Sequence, residues 1–210
     1  MNVLFWDLQT TEWIDKKVPF HQMDIACVAT HLMDYHSHQS AEIGMDADEA
    51  IALLPEQFDL ADAIIGYNVM SFDYQVIKRH FSSQQVGDWQ YKTIDLMELC
   101  RYELGRRPGL NTLYKYTLGQ EKLMHGKEAV RLWQKGERDS VKSYCANDVA
   151  LLRKLFEFGC VHGVIRTYNW DLQDMQDIDT KSWMWYLAQR NHRLKDGQTG
   201  FYIPNVAPVH

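Results

Sequence analysis

The chain has 210 residues, 46% of them hydrophobic and 24% charged, which is enough for one well-buried core with a small appendage. A formal net charge of −6 gives no global signature of nucleic-acid binding. No apolar run approaches the roughly 20 residues that a membrane span needs. The charge is uneven: residues 1–60 hold two bases, Lys16 and Lys17, against eleven acids, whereas residues 101–142 hold ten bases against five acids. Such a local basic surface suits a phosphate-bearing ligand or a solvated helical face equally well. Cys27, Cys100, Cys145 and Cys160 are scattered, with no paired spacing, and read as buried, reduced thiols. With no basic and then apolar leader at the N-terminus, the expectation is a soluble cytoplasmic protein.

In chain order, residues 2–8 form an apolar run that predicts a strand, and residues 24–32 predict a second, rich in small and β-branched side chains. A third short strand is expected near 41–45. Asp46, followed by Glu49, predicts a capped helix running to about residue 58. Residues 63–67 read as a short strand and 72–81 as a helix. Residues 91–94 read as another strand, with Asp95 capping a helix that ends at Gly105. Pro108 and Gly109 interrupt the helical pattern, which resumes over 110–118 and 128–135. A long amphipathic helix is expected from 138 to 158, ending at Gly159, because Val141, Cys145, Val149, Leu152, Leu155 and Phe156 recur at helical spacing. Residues 181–190 predict an aromatic-rich helix, and residues 197–210 show no clear period. Strands first and helices last predict an α/β fold, a mixed β-sheet flanked by α-helices over residues 1–165. Residues 166–210 read as a C-terminal extension that packs on the core, covers a groove or mediates oligomerisation.

Three acids stand where solubility does not require them. Asp7 interrupts the first apolar strand, and a lone buried carboxylate is costly unless it is paired, metal-bound or neutralised. Gln9 shares its strand face, because side chains alternate with a period of two. Asp73 opens a middle helix, where the helix dipole alone could account for it. Asp148 lies inside an apolar helix one turn from Tyr144, and a surface ion pair with Lys142 or Arg153 would be the ordinary explanation.

Taken together and in order, the segments Phe5-Trp-Asp7-Leu-Gln9-Thr10, Asn68-Val-Met-Ser-Phe72-Asp73 and Tyr144-Cys-Ala-Asn-Asp148 resemble the three motifs of the tyrosine branch of the DEDD 3′–5′ exonucleases, which have a ribonuclease H-like fold. The segment around Thr117-Leu-Gly-Gln-Glu-Lys122 and the Trp133-Gln-Lys-Gly136 that follows is similar to a helicase-associated subgroup of these enzymes. The resemblance covers roughly residues 1–165. It implies two Mg²⁺ or Mn²⁺ ions held by Asp7, Gln9, Asp73 and Asp148, with Tyr144 orienting the attacking water. It also implies contacts to a nucleic acid with a 3′ end from Thr10, Asn68, Phe72, Arg106 and Arg107. Single-stranded DNA is the favoured substrate and RNA the alternative, with a helicase or another repair or replication protein as partner and no membrane association.

This chemistry needs these residue types. Phosphodiester hydrolysis at neutral pH requires an acidified water and charge relief on the leaving oxygen, which two divalent ions about 3.5–4 Å apart supply. Mg²⁺ and Mn²⁺ prefer carboxylate oxygens. A tyrosine with a pKa near 10 is a weak base, so its expected role is orientation. Gln9 departs from the pattern, which has Glu there. An amide keeps the shape and one carbonyl ligand but loses a negative charge, so metal affinity and rate both fall. The competing expectation is a non-catalytic nucleic-acid-binding or scaffold domain that retains the exonuclease fold.

Overall fold

The structure is a computed structural model that describes residues 1–13 and 18–190. Lys16 and Lys17 and the segment 197–210 lie outside the described residues. Five strands form one mixed sheet in the order β3-β2-β1-β4-β5. These are β1 (Asn2–Thr10), β2 (Ile25–Asp34), β3 (Gln39–Asp46), β4 (Ala63–Gly66) and β5 (Thr93–Asp95). The first three are antiparallel neighbours, whereas β4 and β5 run parallel to β1.

β1 is central and apolar on both faces, as a strand covered on both sides should be. Val3 and Phe5 point into one core with Cys27, Ala29 and Ile65, under the long helix α7 (Arg138–His162). Leu4, Trp6 and Leu8 point into the other. The second core lies under α1 (Ala47–Leu60), α2 (Asp73–Ile77) and α3 (Ser83–Tyr91). It is built on an aromatic chain: Trp6 meets Phe58 at 5.0 Å and Tyr74 at 5.2 Å, and Trp89 meets Phe58 and Phe81 at 5.0 Å, all edge to face. Such pairs contribute about 0.5–1.5 kcal/mol each beyond the area they bury.

α1 begins at the expected capping box, with the Asp46 side chain accepting from the Glu49 amide and the Glu49 side chain accepting from the Asp46 amide. The helix expected over 72–81 is cut short, and a second helix that was not expected follows it. α2 stops at Ile77, and Ser82 and Gln85 form a second capping box that starts α3. After α4 (Leu96–Leu104) the chain forms α5 (Leu110–Leu113), a π-helical turn at Tyr114–Leu118, and α6 (Gly126–Gln134). α7 does not end at Gly159 but runs to His162, with Gly163 in the left-handed conformation as its stop. Gly159 is a packing glycine. A Cβ there would lie 2.7 Å from the Trp183 ring of α8 (Trp183–Arg190), so only glycine admits that close approach.

Beyond α7, β6 (Val164–Asn169) and β7 (Asp174–Asp179) pair as an antiparallel hairpin. It docks on the π-helical turn, where Thr117 Oγ1 donates to the Arg166 carbonyl and accepts from the Arg166 amide.

Candidate active site

Asp7 and Gln9 share the α7 face of β1, and the Gln9 carboxamide donates to Asp7 Oδ2 at 2.8 Å. Asp73 reaches the same strand from its edge. β4 pairs with β1 only as far as Phe5 and turns away at Gly66. The backbone amide of Leu8 is therefore left without a strand partner on that side. Asp73, at the start of α2, accepts from it at 3.1 Å. The turn that delivers Asp73 is tight: a Cβ on Gly66 would clash with Val69 at 2.2 Å, and Asn68 adopts φ +65°. Asn tolerates that left-handed conformation better than most residues.

Asp148 and Tyr144 come from one face of α7 and are both buried. The surface ion pair weighed for Asp148 does not exist, since Lys142 approaches Asp139 and Arg153 binds Glu157. Instead Lys122 Nζ lies 2.6 Å from Asp148 Oδ2, 3.5 Å from the Tyr144 hydroxyl and 5.7 Å from the centre of its ring. The other Asp148 oxygen, Oδ1, is buried with no hydrogen-bond partner. Cys145 Sγ lies 3.4 Å from the Asp7 carbonyl oxygen and 3.6 Å from Asp7 Oδ2. The Tyr114 hydroxyl donates to the Asp148 carbonyl at 3.2 Å.

Burial raises the three carboxyl pKa values, and repulsion from a neighbouring acid adds to it at Asp7 and Asp73. Asp7 is pushed up to about 6 by burial and by the charge of Asp148, against the opposing effects of Lys122, Gln9 and Cys145. Burial and then Asp7 hold Asp73 well above the usual carboxylate range. Asp148 is raised by burial, with Lys122 and then the Tyr144 hydroxyl acting in the opposite direction. Burial and the neighbouring carboxylates of Asp148 and Asp7 push the Tyr144 hydroxyl upward, so it stays protonated at neutral pH. The arrangement stores carboxylate repulsion that a cation would relieve.

The donor set is hard oxygen, which suits Mg²⁺ or Mn²⁺, and the orphaned Asp148 oxygen is a coordination position that no protein donor fills. Even so, among the described residues no group of three His, Cys, Asp or Glu side chains is placed to hold an ion.

The other residues expected at the site are dispersed. Thr10 is buried and donates to the Glu12 carbonyl at 2.7 Å. Phe72 packs edge to face on Phe20 at 5.2 Å, and the Asn68 amide donates to Asp95 Oδ1 at 2.8 Å. Arg106 donates to Gln176 Oε1 on β7, and Arg107 lies 3.5 Å from Glu98. The basic stretch is therefore less free than its composition implies. Arg101 also binds Glu98, Lys115 binds Glu121, and Arg131 binds Glu128. Lys122, Cys145 and Tyr114 were not singled out as site residues by sequence reasoning. The only signal was the position of Lys122 just after a Leu-Gly turn.

A five-stranded mixed sheet in the order β3-β2-β1-β4-β5, flanked by helices, is consistent with the ribonuclease H-like class of α/β folds. A family model described as RNase_H superfamily matches residues 11–159, and the chain belongs to that superfamily. The match spans Asp73, Lys122, Tyr144 and Asp148 and begins just after β1. No curated protein matched the chain. No described helix is long and apolar enough to cross a membrane.

Proposed function

We propose that the protein is a metal-dependent 3′–5′ exonuclease, attenuated by Gln9, acting on single-stranded DNA or RNA ends. The observation that carries this reading is the gathering of Asp7, Asp73 and Asp148, close enough that Asp148 raises the pKa of Asp7 and Asp7 that of Asp73, with one Asp148 oxygen left without a hydrogen bond beside Tyr144. Asp7, Asp73 and Asp148 would hold divalent metal, with the Gln9 carbonyl as a weaker ligand. Bound there, the metal supplies the charge that acidifies water and offsets the leaving oxygen. Tyr144, protonated by virtue of its raised pKa, donates a hydrogen bond that orients the nucleophile and does not remove its proton. The ordinary fate of residues 1–165 in this reading is the nuclease domain, with the hairpin and α8 appended to it.

The Gln9 contact favours a second reading. Its amide satisfies Asp7 without metal, as a binding domain without turnover would require.

The test is degradation of 5′-labelled DNA and RNA oligonucleotides in Mg²⁺ and in Mn²⁺. Gln9→Glu is expected to shorten both from the 3′ end faster than the parent chain, by about tenfold or more. If Gln9→Glu is inert with both metals and both substrates while still binding them, the second reading replaces the first.

A further inference from the structure

Lys122 is a built component of the acidic site. Gly119, at φ +65°, ends the π-helical turn and redirects the chain. The Lys122 amide then donates to Asn111 Oδ1 at 2.7 Å, which fixes the backbone, and the side chain crosses the Tyr144 ring to Asp148. The Lys122 side chain is only 19% exposed, and its charge is felt by Asp7 as well as by Asp148. A lysine this constrained is not a surface cation that happens to lean on an acid.

Charge counting gives this placement a consequence. Had a Glu stood at position 9, four carboxylates would face one ammonium. With Gln9, Asp7, Asp73 and Asp148 face Lys122, leaving two negative charges, enough to balance one divalent ion and not two. The donor inventory agrees. Lys122 holds Asp148 Oδ2, Gln9 holds Asp7 Oδ2 and the Leu8 amide holds Asp73 Oδ1, so one oxygen of each acid is already bound to a protein donor. The remaining Asp148 oxygen makes no hydrogen bond of ordinary geometry, although the Tyr144 hydroxyl is near enough to favour the Asp148 carboxylate.

We propose that Lys122 is a built-in counter-cation that stands in for one of the two divalent ions, so that this chain binds a single ion. Gln9 and Lys122 act together in this: one removes a charge that a second ion would need, and the other supplies a positive charge in its place. The inference rests on the metal-dependent reading of the site.

The test counts bound Mn²⁺ per chain from the loss of the free-ion electron paramagnetic resonance signal, with thermal melting as a second readout. It uses the full chain, Lys122→Gln, Gln9→Glu and the double variant, with Asp148→Asn as the control for site occupancy. One ion is expected in the parent chain and two in the double variant. Lys122→Gln is expected to bind its ion at least about tenfold more tightly, because a positive charge next to the ion has gone. In the absence of metal, Lys122→Gln melts below the parent, and Mn²⁺ raises its melting temperature by more than it raises the parent's. This gain is the opposite of what a merely structural lysine gives. Two site-dependent ions in the parent, or equal or weaker binding by Lys122→Gln, would overturn the inference and leave the exonuclease reading standing. No binding by any variant at millimolar Mn²⁺ would overturn both.

Discussion

At the end of β5, Asp95 is buried and accepts hydrogen bonds from the backbone amides of Asn68, Met70 and Met97, at 2.8 to 3.0 Å. In the middle of α7, Asp148 is buried as deeply, yet one oxygen meets a lysine and the other meets no donor. Burial raises the pKa of both, so titration does not separate them. The donor inventory does. Asp95 spends its lone pairs on fixed N–H groups that pin the 67–70 turn to the start of α4, and such an acid is structural. Asp148 is kept short of donors at the point where two other acids approach, and a buried acceptor left in that state costs stability unless something else completes it.

The largest effect that sharpens this contrast is on turnover. Asp148→Asn keeps the shape and removes the charge, and should lower the proposed exonuclease activity by about a thousandfold, the equivalent of roughly 4 kcal/mol in the barrier. Its melting temperature without metal should stay near that of the parent, since a carboxylate repelled by Asp7 has been removed. Degradation of labelled oligonucleotide beside a melting curve measures both. Turnover within a few-fold of the parent would break the comparison.

Asp95→Ala is the mirror experiment. Three buried amides lose their acceptor, and a loss of about 3 kcal/mol in unfolding free energy is expected, read from denaturant titration. Activity per folded molecule should fall far less than in Asp148→Asn. If Asp95→Ala were stable and inactive, Asp95 would belong with Asp148 and the distinction by donors would fail.

The same two regions mark what was legible in the sequence. Asp7 and Asp148 drew attention because each is out of place in an apolar element, Asp73 and Tyr144 only through the ordered motifs they share with them, and parity along β1 put Gln9 beside Asp7. Lys122 was not, because its partner lies 26 residues away and the contact depends on a π-helical turn that no periodicity announces. The α2–α3 break was readable in principle from Ser82 and Gln85, a capping-box pair hidden by the helical residues before it. Gly159 misled for a physical reason. A glycine near the end of an amphipathic pattern reads as a stop, whereas here it makes room for Trp183. The β6–β7 hairpin was missed because its outward residues are polar and its turn is Trp170–Gln173, closed by Asn169 Oδ1 accepting from the Asp171 and Leu172 amides, without a Gly to mark it.

A smaller effect is expected on the pH dependence of stability without metal. Asp7 titrates near 6 in the folded chain, above its unfolded value of 3.8. The native state therefore binds the extra proton. This group's stabilisation is fully present below about pH 4 and is lost as pH rises through about 6. Asp73 and Asp148 shift in the same direction. Melting temperature in chelator should fall between pH 4.5 and 7, and Asp7→Asn should flatten that slope. The slope that remains in Asp7→Asn belongs to Asp73, Asp148 and Asp95 together, all of which are raised by burial. A parent chain whose stability rises over this window would mean that burial and repulsion do not raise these carboxyl pKa values in the fold.

The smallest effect tests how tightly the site's own donors are rationed. Cys145 offers Asp7 only a weak S–H donor, 3.6 Å from Oδ2. Cys145→Ser replaces it with a hydroxyl that hydrogen-bonds the ionised carboxylate better, which favours the charged form. The Asp7 midpoint should move down from about 6, by less than about one unit, in a carboxyl carbon NMR titration. Metal should then bind over a wider acidic range, because less proton competes for the same oxygen. The corresponding gain is unavailable at Asp95, whose oxygens already have backbone donors. An unmoved midpoint would mean that the Asp7 carboxylate, like that of Asp95, is already supplied with all the donors it can use.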